Sequence, residues 1–365
     1  MPQLHPFPYC HHLPPGRYNS LPITRDGIRT LDPQPFIRDA WTGFRELDVV
    51  TNQGGRFVRG LCGLIPSADF LSGAVRPHEQ LLTARIERQE RDVVADGGAL
   101  GKPVLVTVPS LTPFWERQPL YPQLPELVGA GAGGKGLTEM EAGHAIHWRG
   151  DNHTYELRRL RGQKEPVELA DFGPVIIADG HHRSGTHAQL SRTHGAAYRF
   201  VPVVVMGGDE LTIGTFLRVI EAKDLSVEEL LRQLVPFFFL TPTPAPATAP
   251  RVGCWAVSYR GRHYLLERRR PTGLTDTGWL YSEVLPAVFG ITDSRSDPRI
   301  ESVDIPLDAA GELMIDAELR KRVLLRGFPL PTERFFQEVA AGQLLPPKST
   351  RFEPRVPSGL LVWVP

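Results

Sequence analysis

Apolar runs and runs of helical spacing alternate along this chain, separated by glycine, proline and charge. The segments 57–65, 103–108, 175–178 and 200–206 are nearly unbroken apolar stretches of strand length. Weaker strand patterns lie at 144–148 and 155–160, and 254–259 with 263–267 alternate as a hairpin around Gly261. Helical spacing marks 81–94, 184–194, 227–234, 282–289, 317–325 and 333–341. Gly195 and Gly342 close two of these segments, and Ser226 with Glu229 stands at capping-box spacing before the third. Strands and helices are mixed without an internal repeat, so the expected class is α+β (mixed α/β) with several sheets.

Two biased stretches suggest boundaries. The run Gly129-Ala130-Gly131-Ala132-Gly133-Gly134-Lys135-Gly136 lacks the spacing and trailing hydroxyl of a P-loop and reads as a linker or mobile loop. The segment 241–250 carries alternating prolines and reads as a stiff, extended spacer. The expected regions are 1–128, 137–240 and 251–365.

Composition narrows the function. The 365 residues suffice for two or three structural units. The 41 basic and 41 acidic residues cancel, which argues against a dedicated DNA binder with its net basic footprint. No apolar run approaches the ~18 residues of a membrane span. The start has neither a basic segment nor an apolar core of a signal peptide, so a cytoplasmic location is expected. Cys10, Cys62 and Cys254 are too few and too scattered for a disulfide framework.

Candidate chemistry concentrates in Asp179-Gly180-His181-His182-Arg183, between an apolar strand pattern and a helix pattern. The first N–H groups of a helix lack intrahelical partners, and the helix dipole favours an anion there. Gly180 permits a tight turn and close approach of a ligand. A second polar knot is Arg76-Pro77-His78-Glu79, with Glu79 expected near the first turn of the charged helix. A third is Pro346-Pro347-Lys348-Ser349-Thr350, where an ammonium and two hydroxyls could hold a phosphate or other anion. Weaker signals have bland readings. Cys10-His11-His12 reads as a terminal segment, His144 and His147 as interior or edge histidines, and Ser184 as a helix-capping hydroxyl.

The strings around Arg76–Glu79, 175–183 and 346–359 occur in the order found in the bacterial family of domain of unknown function 1015, which this chain resembles. It departs from the family pattern in three places. The usual opening Pro-Pro-Tyr-Asp-Val has only a faint echo at Arg17-Tyr18-Asn19. Ser184 stands where an aromatic is usual, and Gly214-Thr215-Phe216-Leu217-Arg218 lacks the family's histidine. The Asp-Gly-His-His-Arg corner is also similar to that of free serine kinases of the ParB/sulfiredoxin-like fold.

The resemblance implies a ParB/sulfiredoxin-like core with additional α/β elements on both sides. It also implies a kinase moving a phosphoryl group from ATP or ADP to a small hydroxylated metabolite such as serine. Under it, Gly180, His181, His182 and Arg183 hold nucleotide phosphates, joined by Lys348, Ser349 and Thr350. Arg183 stabilises the moving phosphoryl group, Asp179 takes Mg²⁺, and Glu79 is the base. The expected partners are the nucleotide and the hydroxylated substrate, not DNA or membrane. The alternatives are a nucleotide-binding switch or DNA-associated ParB-like module, a phosphate-ester hydrolase, and an inactive scaffold.

Overall fold

The computed structural model describes residues 1–10, 30–31, 41–52, 55–81, 83–96, 99–100, 102–118, 136–139, 145–149, 153–222, 224–304 and 318–363. They fall into two compact units. The first draws on 1–212, 339–343 and 352–365, and the second on 213–338 and 344–351. This is not the three-region division expected from the biased stretches. Of the glycine run, only Gly136 lies among the described residues, in a strand. Thr241–Thr243, expected to begin a spacer, are paired in a sheet.

The first unit is built on an eight-stranded sheet: β1 (Arg45–Thr51), β2 (Phe57–Pro66), β3 (Val104–Val108), β4 (Gly136–Glu139), β5 (Ala145–Arg149), β6 (His153–Arg159), β7 (Ile176–Asp179) and β8 (Phe200–Gly207). The spatial order is β7-β3-β8-β2-β1-β6-β5-β4. Only β3 and β8 run parallel; every other neighbouring pair is antiparallel. The apolar runs seen in sequence are its central strands. In β3 and β8, Val104, Val106, Val203 and Val205 bury one face, while Leu105, Thr107, Val204 and Met206 bury the other. A strand covered on both sides needs apolar residues throughout, which accounts for the loss of alternation.

β1 was not among the expected strands, although Leu47 and Val49 alternate with Glu46 and Asp48. Glu46 and Asp48 share a face with Glu156 and Arg158 of β6, and all four are buried. Arg158 grips Glu46 through two hydrogen bonds of 3.0 Å and reaches Asp48 at 2.6 Å. Buried charge is tolerated where it is paired in this way.

Among the described residues these helices accompany the sheet: α1 (Ser67–Leu71), α2 (Thr83–Asp96), α3 (Thr112–Trp115) and α4 (His181–Thr193). Despite its charges, α2 packs on α4. Gln89 is fully buried and accepts from the Thr186 hydroxyl at 2.9 Å, and Val93 meets Leu190. α4 begins three residues earlier than expected. Its N-cap is Gly180, so Ser184 is not a cap: it is buried and its Oγ donates to the His181 carbonyl at 2.9 Å.

The second unit carries a six-stranded antiparallel sheet: β9 (Leu217–Ile220), β10 (Phe238–Thr243), β11 (Cys254–Tyr259), β12 (Arg262–Arg268), β13 (Ile300–Val303) and β14 (Val323–Gly327). The order is β10-β12-β11-β14-β9-β13. Helix α5 (Val227–Leu234) starts as expected, with Ser226 Oγ accepting from the Glu229 N–H at 3.0 Å. The helical stretch from Asp276 to Phe289 passes through a π turn at Leu280–Val284. Pro286, just beyond, has no N–H to donate, which favours such a widening. Phe238, Trp255 and Trp279 interlock with ring centroids 5.3 to 5.4 Å apart at the centre of this unit's core.

The helix expected at 317–325 is absent among the described residues of that segment, 318–325. Only a short turn at Leu319–Lys321 coils, and β14 follows, central in the sheet with Val323, Leu324 and Leu325 buried. Pairing on both edges outweighed the helical spacing. Both units mix strands and helices, so the fold class is α+β. Among the described residues no helix is long and apolar enough to cross a membrane. Cys10, Cys62 and Cys254 are free and buried.

Candidate functional site

β7 lies at the edge of the first unit's sheet, and its free side is taken by Arg76. The Arg76 N–H donates to the Val175 carbonyl at 2.8 Å, and the Ile177 N–H donates to the Arg76 carbonyl at 2.9 Å. Two knots a hundred residues apart in sequence are thereby joined. The Arg76 guanidinium also donates to the Ala340 carbonyl at 2.5 Å, fastening the turn from its other side.

The register of β7 against β3 slips between Ile177 and Asp179. A bulge of this kind re-aims the side chains that follow it. The chain then turns through Gly180 at φ 101°, a left-handed conformation costly for other residues. A Cβ at this position would stand 2.6 Å from Arg183 Nη2, so glycine is also the residue that leaves room for the guanidinium.

Arg183, one turn into α4, reaches back to Asp179. Its Nη2 donates to Asp179 Oδ2 at 3.0 Å and to the Pro103 carbonyl at 3.3 Å. Lys102 Nζ meets the same carboxylate oxygen at 3.2 Å. Burial would push the Asp179 carboxyl up, but Arg183, Lys102 and, more weakly, Arg355 override it and hold it well below the usual carboxylate range. Burial lowers the Lys102 ammonium, against the pull of Asp179. The corner is neither splayed into solvent nor sealed: Asp179 keeps 34% of its side-chain surface, Lys102 20% and Arg183 11%.

The histidines act mostly as braces. His78 Nδ1 lies 2.6 Å from the Ile177 carbonyl, which fixes the proton on Nδ1 and a lone pair on Nε2. The His78 backbone N–H donates to His181 Nε2 at 3.3 Å, and the two rings meet edge-on at 4.3 Å. Burial pushes the His78 imidazole down to about 4, and burial together with His78 holds His181 well below its ordinary value. Both rings are therefore neutral at pH 7. The expected phosphate contact from the His181 imidazole does not fit this arrangement, because the ring faces His78. What His181 can offer an anion is its N–H in the first turn of α4, with those of His182 and Arg183. The His182 side chain is half-buried.

Glu79 lies four residues before α2 rather than in its first turn. Its Oε1 is 3.8 Å from His78 Nε2, beyond hydrogen-bond reach of a nitrogen that here carries a lone pair.

The third string divides. Phe352 and Arg355 belong to the first unit: Phe352 stacks on His78 with centroids 5.7 Å apart, and Arg355 contributes its charge to the corner. Lys348, Ser349 and Thr350 belong to the second unit. The two hydroxyl residues are buried there, and Ser349 Oγ donates to the Pro346 carbonyl at 2.6 Å, so it is not the open phosphate ligand expected. Lys348 is exposed.

For Mg²⁺ the corner fits poorly. Asp179 Oδ2 already faces a guanidinium and an ammonium, and a divalent ion on this carboxylate would meet both. Among the described residues there is no group of three or more His, Cys, Asp or Glu side chains suited to a metal. His11, His12 and His144 lie outside the described residues.

Lys102 and Arg355 were not singled out in sequence. A lysine before Pro103 and an arginine inside the last string were the available signals. What remained hidden was that both point their charge toward Asp179.

The corner falls within the segment that a family model recognises. Residues 163–294 match the family described as protein of unknown function, DUF1015. No curated protein matches the chain. Among solved structures, a free serine kinase mutant in complex with AMP aligns at 16% identity with a TM-score of 0.42, covering 83% of this chain and 91% of its own. A second mutant of a free serine kinase, with ADP, gives 17%, 0.41 and the same coverage. SbnI from Staphylococcus aureus, truncated at its C-terminus, gives 15% and 0.42, covering 81% and 85%.

Proposed function

We propose that this chain is a small-molecule kinase, transferring a phosphoryl group from ATP or ADP to the hydroxyl of a small metabolite such as serine. The observation that carries the reading is the convergence of Lys102 and Arg183 on Asp179 beside the start of a thirteen-residue helix. Two cations and a set of first-turn N–H groups form a cradle for a phosphate chain. The Asp-Gly-His-His-Arg sequence of this corner, similar to that of free serine kinases, gives the cradle its reaction class.

In this reading Asp179 does not touch the substrate. It holds Arg183 and Lys102 at fixed positions and favours the charged form of Lys102, so that the cations need no rearrangement as charge develops. The N–H groups of His181, His182 and Arg183 hold the donor's phosphates. Arg183 stabilises the phosphoryl group in flight, a job that asks for positioning and charge more than covalent chemistry. The acceptor oxygen bonds to the terminal phosphorus and the phosphorus–oxygen bond to the remaining nucleotide breaks. Glu79 takes the hydroxyl proton, and the products are a phosphomonoester and ADP or AMP. His78 and His181 position Glu79 by tying its turn to β7 and α4.

The test is phosphorus NMR of the full chain with MgATP or MgADP and a panel of hydroxylated metabolites. A new phosphomonoester resonance is expected. Release of inorganic phosphate alone would assign a hydrolase instead, and silence with every donor and acceptor would reject the enzyme. Asp179→Ala and Arg183→Ala are expected to abolish turnover while a cooperative melting transition is kept. Glu79→Gln should lower the rate by about two orders of magnitude or more with nucleotide affinity unchanged, as loss of a general base does.

A further inference from the structure

Arg183 is held at one end of its guanidinium. Nη2 meets Asp179 and the Pro103 carbonyl, while the Nε–H is buried with no hydrogen-bond partner among the described residues. One turn further along α4 stands His187, 2% exposed, and neither of its ring nitrogens has a partner among those residues. The two residues are four apart and so share one face of the helix, and both are buried. Helical side chains lean toward the N-terminus, which lays the His187 ring over the turn that carries Arg183. Tyr198 packs against that ring, with centroids 6.1 Å apart.

A buried polar atom without a partner costs about 1–3 kcal/mol. Leucine at this position would carry no such cost, so packing gives no reason for an imidazole. Burial and the Arg183 charge both disfavour a second proton on the ring, which at pH 7 is therefore neutral, with one N–H and one lone pair. A lone pair is what the Arg183 Nε–H lacks. We infer that His187 is a positioning residue for Arg183, its ring nitrogen accepting from Nε directly or through one internal water. The guanidinium is then fixed at both ends, Nη2 by Asp179 and Nε by His187. Held by Nη2 alone it can swing about that contact, and a bound phosphate would have to arrest the motion. A carboxylate at 187 would grip Arg183 more firmly but would offset the charge that the corner offers an anion, whereas a neutral ring positions without offsetting it. The use of the placed guanidinium on a nucleotide rests on the kinase reading; its placement by His187 does not.

The experiment is NMR of the full chain with nitrogen-labelled arginine, the Arg183 Nε–H resonance being identified by its loss in Arg183→Lys. Its exchange with solvent should be slow in the unaltered chain and about tenfold faster in His187→Leu, as expected for the loss of one buried hydrogen bond. His187→Gln, whose amide supplies a neutral acceptor, should restore slow exchange. The melting temperature of His187→Leu at pH 7 should be kept or raised, so faster exchange would not reflect a loosened fold. MgADP titrations supply the second readout. His187→Leu should weaken affinity roughly threefold to tenfold, the worth of one hydrogen bond, and should have no further effect in Arg183→Lys, which keeps the charge but has no N–H at that position. Exchange unchanged in His187→Leu, or an equal loss of affinity in both backgrounds, would overturn the inference. A chain that binds no MgADP would count against the kinase reading instead, and the exchange rates would still decide the placement of Arg183.

Discussion

The Gly180→Ala substitution tests the corner most directly, because two separate costs fall on one methyl group. The first is local: at φ 101° an L-residue is strained, by ~1–2 kcal/mol. The second is transmitted. The new Cβ would lie 2.6 Å from Arg183 Nη2 and 3.0 Å from its Cζ, so the guanidinium must leave its place. The backbone has no reason to move, since the obstruction is the far end of a flexible side chain. What is lost is the 3.0 Å hydrogen bond to Asp179, worth ~1.5–3 kcal/mol for a charged pair. With a third of the Asp179 side chain in solvent, this is better taken as about 1 kcal/mol. The sum is roughly 2–3 kcal/mol, and at ~2–4 °C per kcal/mol it should lower the melting temperature by several degrees. Calorimetry on Gly180→Ala, Arg183→Met and the double variant separates the costs. With Arg183 gone, Gly180→Ala should cost only the backbone part, leaving a coupling of about 1 kcal/mol. Equal costs in both backgrounds, or a Gly180→Ala structure with Arg183 still on Asp179, would refute the reasoning.

His187 and Trp279 give further expectations. His187 is buried in α4, with no hydrogen-bond partner for either ring nitrogen among the described residues, and burial pushes it down to about 4, as it does His78. The unfolded chain binds these protons first, so stability is full above pH 6.5 and is lost as pH falls toward 4, by roughly 3 kcal/mol for each ring. His187→Leu should remove the His187 part of the measured loss in urea titrations at pH 4.5, 5.5 and 7, leaving the parts due to His78 and His181, and an unchanged slope would exclude His187 as a source. In the second unit, Trp279→Ala removes the ring shared by Phe238 and Trp255 and should cost about 3–5 kcal/mol in chemical denaturation. A cost below about 1 kcal/mol would mean this cluster is not the centre of that core.

Local signals fixed several elements because their cause is local. α5 starts where Ser226 caps it, the hairpin of β11 and β12 turns at Gly261 with φ 75°, and Gly342 stands at φ 80° beyond the last helix. Apolar runs marked β2, β3, β7 and β8 because each is covered on both faces. The corner itself was legible, since a left-handed glycine between a strand and a helix leaves its mark in residue type.

Other features followed from pairing between distant segments. β1 buries Glu46 and Asp48, which Arg158 of β6 and Arg59 of β2 make acceptable, so its alternation of Leu47 and Val49 with charges was a fainter signal than an unbroken apolar run. The 317–325 segment had helical spacing, yet two neighbouring strands claimed Val323–Gly327. At the corner, residue types named Asp179 and Arg183, whereas Lys102, His78 and Arg355 reach it through an edge strand that pairs with Arg76 and through a returning C-terminal segment. Spacing along a chain reports geometry within one turn or one strand. Which charges face one another across a sheet edge is decided by contacts made after those elements pack, and that information is spread over the whole sequence.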